Sequence, residues 1–429
     1  MKSESVFANR NFRLVFFGAL VSELGALLYN FAVSFYILEI SGNSAFLQGL
    51  YLALGGVAML VFTPVGGVLG DRFNKAKIMY ICDYLKGGSI LLATLLMVLF
   101  PSPRAHIVIL FGLGITGSAV SGVFSPVSGA LFPHIVETDR LQQANAFFTI
   151  KSSSEAILGV ILAGVLYATL PILTLFVLVG LCFIASGVSE MLIRYEHVPS
   201  PERLTLRLAV RDMGDGLRYL KTKRAILALL CSVLFINFFF APVTANFLPY
   251  FIRTDLAAAP GYLFDRVLTP EMWSSVVSVF FGVSSLLGAA ILSGRPQAEK
   301  CGFRTALRLS VEAVMMIGLT VCYRLLVDTG ASINAFLIAL CLGSFVIGMF
   351  ISFINIPIST VMMRIVDRDM LSKVNSIISI GSQGMIPISS VLAGLVLGTL
   401  GSTPLLAVCS AGFTVTAVIM LLNRRIREI

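Results

Sequence analysis

Charge is what this sequence has least of: 12% of its 429 residues are Asp, Glu, Lys or Arg, against 57% hydrophobic, and the mean hydropathy is +0.94. A soluble domain carries about a quarter charged residues, so this composition excludes that class and leaves a polytopic membrane protein. Histidine is almost missing. His106, His134 and His197 fall in or near loops without metal-ligand spacing. The seven cysteines, Cys82, Cys182, Cys231, Cys301, Cys322, Cys341 and Cys409, form no CxxC pair and read as small packing residues. No metal and no cofactor are expected. A GxxxxGK[ST] loop is absent, which argues against ATP as an energy source. No Ser/His/Asp constellation suggests an enzyme. The segment Met1 to Arg13 reads as polar, with no cleavage site bounding a short apolar stretch, so a cleavable signal is not expected.

Long apolar runs are what is there. Stretches able to cross a hydrocarbon core of roughly 30 Å, about 20 helical residues, can be drawn. They fall at 12–39, 46–70, 77–100, 106–133, 141–168, 171–193, 225–252, 272–293, 305–327, 333–363, 371–399 and 403–422. They predict an all-α integral membrane fold of twelve transmembrane helices. Its two six-helix halves are 1–193 and 225–429, joined by a polar cytoplasmic linker at 194–224. With both termini in the cytoplasm, 25 of the 31 Lys and Arg lie on cytoplasmic segments; Arg104, Arg253, Arg266 and Arg324 lie outside, and Lys86 and Lys151 within spans. That asymmetry predicts an even helix count with both ends inside a plasma membrane. The net charge of +9 then reflects topology and contact with anionic lipid, and nucleic acid is not an expected partner.

The halves look like copies of one unit. Phe124-Ser-Pro-Val-Ser128, then Ile135-Val136-Glu-Thr-Asp139-Arg-Leu141 and Asn145, return as Asn355-Ile-Pro357-Ile-Ser359, then Ile365-Val366-Asp-Arg-Asp369-Met-Leu371 and Asn375, with a single-residue slip. A duplicated apolar chain is the mark of a transporter that rocks one half against the other. Gly112-Leu-Gly114-Ile-Thr-Gly117 satisfies GxGxxG, but it sits inside an apolar span with no preceding strand. Gly114, Gly117, Ser118 and Ser121 read instead as a small-residue stripe for helix packing.

Between the second and third spans the chain reads Gly66-Gly67-Val-Leu-Gly70-Asp71-Arg72-Phe-Asn74-Lys75-Ala-Lys77. Glycines here let the helix approach its neighbour, and a basic turn closes the loop. The pattern resembles the signature loop of the major facilitator superfamily, Gly-x3-Asp-Arg-x-Gly-Arg/Lys-x-Arg/Lys. Gly67, Asp71, Arg72, Lys75 and Lys77 match, and Asn74, which tolerates the same turn conformation, stands at the usual second glycine. The resemblance implies that Asp71 caps a neighbouring helix across the interface between the halves, and that Gly67, Asp71, Arg72 and Lys75 latch the outward-open state. Asn9-Arg-Asn-Phe12-Arg, Tyr29-Asn30 and Asp71 to Met79 with Asp83 are similar to the drug:proton antiporter branch that contains macrolide-efflux-type proteins. Val160 stands where that branch often has the proline of a Gly-Pro kink, and the second-half loop Ser293 to Lys300 has lost the motif order.

An ionisable side chain at mid-bilayer costs at least ~2.5 kcal/mol, so each one is a functional candidate. Glu23 lies about ten residues into the first span, with Asn30 and Ser34 continuing one face. It has no sequence-local partner, and proton binding is its leading reading. Asp83 and Lys86 are i,i+3 in the third span, near enough to the interface for Lys86 to snorkel. Lys151 and Glu155 are i,i+4 in the fifth, roughly 15 to 20 Å from its cytoplasmic end at 1.5 Å per residue. Each couple reads either as internal neutralisation or, with Glu23, as a proton-coupling group. Glu190, Glu312 with Arg308, and Arg324 with Asp328 read as interfacial anchors.

The seventh span, Phe235-Ile-Asn237-Phe238-Phe239-Phe240-Ala-Pro242, offers a proline kink, stacking surfaces and one directional amide. Asn30, Ser34, Tyr36, Asn237, Phe238, Phe239, Asn355 and Gln383, with Ser352 beside them, are the substrate-cavity candidates. An aromatic cavity without arginine suits a bulky amphipathic molecule better than an organic phosphate. The residues and the resemblance together imply a monomeric secondary active transporter that exports a hydrophobic or amphipathic, drug-like small molecule by proton antiport. Alternatives are a lysolipid or siderophore transporter, an uncoupled facilitator, and, in another class, a non-transporting receptor. The segment Ile252 to Glu271, longer than the other external loops, is a candidate cover for the outer mouth.

Overall fold

The computed structural model describes residues 6–136, 141–194, 206–293 and 301–427. Among them twelve helices are long and apolar enough to cross a membrane. In a medium without water each backbone N–H and C=O must be satisfied within its own segment, which helices do. In chain order the α-helices are α1 (Arg10–Ile40), α2 (Ala45–Arg72), α3 (Lys75–Leu99), α4 (Pro103–Ile135), α5 (Leu141–Ser154), α6 (Val160–Thr169) and α7 (Ile172–Met191). After α8 (Leu206–Thr222) follow α9 (Arg224–Ala241), α10 (Leu248–Phe251), α11 (Met272–Ser293), α12 (Cys301–Tyr323), α13 (Ile333–Ile365), α14 (Arg368–Leu400), α15 (Ser402–Leu422) and α16 (Arg424–Arg427). π-helical turns at Glu155–Gly159 and Pro242–Phe247 join α5 to α6 and α9 to α10, so each pair is one continuous span.

Start signals lie where the helices begin. Asn9 caps α1 by accepting from Asn11 N and Phe12 N at 2.9 and 3.2 Å, and Asn74 caps α3 through Lys77 N at 3.2 Å. Ser102 caps α4 ahead of Pro103, whose missing N–H costs nothing in a first turn.

The chain divides into two compact units, Met1–Ser41 with Leu54–Ala209 and Gly42–Ala53 with Val210–Ile429. The first turns of α2 group with the second unit, which a division by sequence order cannot express. There Gln48 Nε2 donates to Ala245 O at 3.3 Å.

In the first unit α3 packs on α7 and α4, and α1 on α7. Helices α2 and α4 touch through glycines: a Cβ on Gly66 would lie 2.6 Å from Val123 Cα, and one on Gly122 2.6 Å from Met59 O. The close approach in the signature loop therefore falls on Gly66, whereas a Cβ on Gly67 meets nothing within 4 Å. The small-residue stripe is corrected in the same way. Ser118 and Gly114 face Gly55, but a Cβ on Gly117 would meet open space. The start of the chain is also less polar than it reads. Val6 and Phe12 are buried with Phe132, Phe147 and Phe148 around them, because residues 6–8 fold as a short 3-10 turn whose first N–H donates to Gln143 Oε1 at 3.0 Å.

In the second unit α11 packs on α13, α12 on α13 and α15, and α14 on α9. The segment after Ile252 is tied to its own unit. Leu263 N donates to Asn334 Oδ1 at 2.7 Å, the Tyr262 hydroxyl to Leu268 O at 2.8 Å, and Arg253 pairs with Glu271 at 2.9 Å. Burial, with Asp265 and Glu271 nearby, raises the Tyr262 phenol above its ordinary 10.0.

Candidate functional site

Three charges converge where α1 meets the fifth span. Lys151 closes α5, and the π turn that follows starts at Glu155 and ends at Gly159. A Cβ on Gly159 would lie 2.7 Å from Leu27 Cδ1 and 3.2 Å from Leu24 Cδ2, so glycine lets this turn lie against α1 beside Glu23 without moving those leucine tips. The Lys151 ammonium is 2.7 Å from Glu23 Oε2 and 3.5 Å from Glu155 Oε2. It sits 5.4 Å from the centroid of the Phe148 ring, a further cation–π contact. Lys151 and Glu155 are buried, at 1% and 5% side-chain exposure, while Glu23 is 53% exposed. Glu155 Oε1 has no hydrogen-bond partner among the described residues. One ammonium thus bridges a buried carboxyl and an open one.

A second cluster joins α3 to α7. Asp83 is 1% exposed and lies beside the Ser186 hydroxyl without a well-formed hydrogen bond. Lys86 is partly buried, and its ammonium lies 5.3 Å from the Phe124 ring and 5.2 Å from the Phe183 ring. Glu190 is corrected from interfacial anchor to buried residue, 1% exposed with neither carboxylate oxygen hydrogen-bonded among the described residues, because the last turn of α7 is covered by α1 at Gly18. Glu312 is corrected too. It is 2% exposed, with Oε1 unbonded among the described residues, while Arg308 turns to Phe353 O at 2.5 Å and to the Phe353 ring. Asp328 does lie at a helix end, where it accepts from Thr403 at 2.6 Å.

The cavity candidates divide. Asn30 is exposed and Ser34 partly so, on the face that Glu23 begins. Asn355 and Gln383 are exposed, and Phe238 is partly buried against Phe239. Others turn into packing. Tyr36 is buried beside Phe176, and its hydroxyl is 2.6 Å from His106 Nδ1. Because His106 Nε2 must donate to Met97 O at 3.0 Å, Nδ1 is the acceptor and the phenol the donor. Asn237 donates to Val233 O of its own helix, Ser352 pairs with Ser285 at 2.8 Å, and Phe239 fills the space that a Cβ on Gly412 would need. Of the latch residues, Arg72 is exposed and Lys75 buried at the start of α3; the Asp71 side chain falls outside the described residues, as do Thr138, Asp139 and Arg140 of the repeat. No group of three or more His, Cys, Asp and Glu able to hold a metal occurs among the described residues.

Sequence reasoning missed Asn246. It is fully buried in the π turn of the seventh span and donates to Ser390 O at 3.3 Å. An asparagine four residues after an in-span proline was the available signal.

Twelve apolar helices in duplicated halves, with carboxyls and ammoniums held inside the spans, define a multi-pass membrane transporter. The chain belongs to the Major Facilitator Superfamily, whose family model matches residues 15–343. It is similar to the uncharacterized MFS-type transporter YkuC of Bacillus subtilis (strain 168), 26% identical over 384 residues that cover 86% of this chain and 81% of that protein. Macrolide efflux protein A of Streptococcus pyogenes is 22% identical over 286 residues, 66% of this chain and 67% of that one. The enterobactin exporter EntS of Citrobacter koseri (strain ATCC BAA-895 / CDC 4225-83 / SGSC4696) is 30% identical over 158 residues, 37% of each. Among solved structures, a bacterial homologue of the iron transporter ferroportin in its inward-facing state superposes with a TM-score of 0.69 at 16% identity, covering 96% of this chain and 98% of that one.

Proposed function

We propose that this chain is a secondary active transporter that exports a hydrophobic or amphipathic small molecule by proton antiport, through alternating access of halves 1–193 and 225–429 about the linker 194–224. The observation that carries the reading is Lys151 held between Glu23 and Glu155. Two carboxylates around one buried ammonium leave one negative charge in excess, which is costly in a medium of low dielectric. One proton neutralises the cluster. Glu23, half open, exchanges the proton, and Lys151 passes the consequence to Glu155 by shifting between the two carboxyls. The efflux proteins among the relatives support outward transport. Within the first unit the face begun by Glu23 continues with only Asn30, exposed, and Ser34, partly exposed, and so few polar groups suit a largely apolar cargo. The similarity to an enterobactin exporter favours a siderophore as a second cargo class. Gly67, Asp71, Arg72 and Lys75 act as the conformational latch; the protein works as a monomer in the plasma membrane, both termini cytoplasmic.

The test is efflux of a dye and antibiotic panel into inverted vesicles with an imposed proton gradient, comparing wild type with Glu23→Gln and Glu155→Gln. Gradient-driven flux lost in both variants is the expected result. Wild-type flux that ignores the gradient would replace antiport with facilitated movement, and ligand binding without flux would make the protein a receptor.

A further inference from the structure

A cavity of about 610 Å³ opens at the cytoplasmic corner where α3 begins and α7 ends, inside the first unit and apart from the charge cluster on α1. Lys77, Tyr80, Met191 and Arg194 line it. Of its two cations, Lys77 lies in the first turn of α3 and Arg194 three residues past the end of α7, and both are exposed. Neither Lys77 nor Arg194 has an ion-pair partner among the described residues, though the backbones that carry them are fixed. Lys77 N bonds to Asn74 Oδ1 at 3.2 Å; Arg194 N and O both bond to the Asn11 side chain, at 3.1 and 2.7 Å. Two cations without an ion-pair partner among the described residues, on a pinned backbone and at the mouth of a cavity whose one lining carboxyl, Glu190, is buried, offer a site for an anion.

The surface leading away from the cavity is apolar. On α3, Ile81, Leu85 and Leu92 follow Lys77 at helical spacing and are 47%, 53% and 57% exposed. On α7, Met191, Val188 and Leu181 form the matching stripe and are 52%, 44% and 55% exposed. Between the stripes α3 and α7 are in backbone contact, since a Cβ on Gly87 would lie 2.8 Å from Gly180 O, and a Cβ on the neighbouring exposed Gly88 would meet open space. The result is a shallow apolar seam about one hydrocarbon leaflet long or more, with two cations and a phenol at its cytoplasmic end. Free phosphate would use the cations and leave the seam unexplained. A basic pocket between helices on the cytoplasmic side is the chemistry that holds an anionic headgroup.

We infer that the cavity of Lys77, Tyr80 and Arg194 is a specific binding site for one anionic phospholipid, whose phosphate pairs with the two cations and whose acyl chain lies along the α3–α7 seam. The lipid clamps the start of α3 to the end of α7, directly over the buried Glu190 that also lines the cavity floor.

The test uses the full-length protein in detergent and native mass spectrometry to count retained phosphatidylglycerol, with phosphatidylcholine as the neutral probe. Wild type should retain one phosphatidylglycerol saturably and no phosphatidylcholine. Lys77→Gln/Arg194→Gln should weaken retention by tenfold or more, whereas Arg211→Gln/Arg218→Gln, exposed cations on α8, should leave it unchanged. Equal losses in both pairs would reduce the site to diffuse surface charge and overturn the proposal, as would displacement of the lipid by an equal concentration of inorganic phosphate. Should the first pair fail to fold, photo-crosslinking of wild type with a diazirine-bearing phosphatidylglycerol decides the matter. Label concentrated on peptides of α3 and α7 supports the site; label spread evenly over the spans removes it. Neither readout requires that the chain transport anything.

Discussion

The first unit buries carboxyls and ammoniums, and the second buries phenols, hydroxyls and rings. Asp83, Lys151, Glu155 and Glu190 are each 5% exposed or less in the first, with Lys86 partly buried against two phenylalanines. In the second, the Tyr323 ring lies 5.6 Å from Phe247, 6.1 Å from Phe251 and 5.2 Å from Phe336, and its hydroxyl donates to Asp255 at 3.0 Å. Hydroxyl pairs, Ser285 with Ser352 and Thr320 with Ser410, both at 2.8 Å, join helices there. Yet the scaffold is shared. Asn9 Nδ2 donates to Ile135 O in the first unit, and Asp367 N donates to the Tyr219 hydroxyl in the second, so the residues ahead of each unit's leading span hold corresponding ends of the repeat. Duplication preserved the packing and its ties while ionisable chemistry concentrated in one copy. Glu312 is the exception, a buried carboxyl in the second unit.

The largest effect expected from breaking this asymmetry is at Lys151. Lys151→Met leaves Glu155 buried beside an apolar side chain, and removing one partner of a buried pair costs about 3–5 kcal/mol. Unfolding of the purified protein in detergent measures it. Adding Glu155→Gln should restore most of the stability, since the uncompensated charge is gone, but not gradient-driven flux. If the double variant transports, charge in this cluster is architectural.

The next largest contrast is between acids of the two units. Glu155→Gln should bring gradient-driven flux to background, and Glu312→Gln should leave it at the wild-type level, both read in inverted vesicles. Loss of flux at Glu312→Gln would show that the second copy kept a working carboxyl and would end the comparison.

How much of this was legible follows from what determines each feature. Twelve spans were readable because a run of about 20 apolar residues is a local property. Lys151 with Glu155 was readable because four residues bring side chains to one face. Glu23 beside Lys151 was not, since a contact across helices leaves no periodicity. The π turn that seats Glu155 was hidden for a similar reason: its one visible sign is Gly159, and only contact with Leu24 and Leu27 gives that glycine a purpose. Glu190 and Glu312 were misread because distance from a span's end was taken as distance from water, while neighbouring helices cover both. The first residues were misread too, since Phe12 counts as one apolar residue in a polar segment until Phe132 and Phe148 close over it.

Packing should show a smaller but sharp contrast within the first unit. Gly122→Leu forces a side chain into Met59 O and Thr63 N and should cost about 1–3 kcal/mol by overpacking. Gly117→Leu points into open space and should stay within about 0.5 kcal/mol of wild type. Gly117 belongs to the motif that the sequence offered as a packing stripe, and Gly122 lies one residue beyond its end. Equal destabilisation would mean that Gly117 meets a neighbour in another conformation of the transport cycle.

The smallest expected effect separates a cavity wall from a packing joint. Tyr36 is an aromatic with a polar tip on a span that carries Glu23, Asn30 and Ser34, which is why it reads as a substrate contact. In the fold its ring is buried and its hydroxyl donates to His106, whose other nitrogen is committed to Met97 O. Tyr36→Phe keeps the ring and removes one hydrogen bond, at a net cost of about 1 kcal/mol. His106 Nδ1 is then left to find water at the exposed start of α4, which limits the penalty. Melting temperature should fall slightly, and flux of every transported compound should stay the same or fall in the same small proportion. A variant that alters the flux of one compound and leaves another untouched would move Tyr36 back to the cavity, because the loss of a structural hydrogen bond lowers all fluxes together and does not discriminate among cargoes.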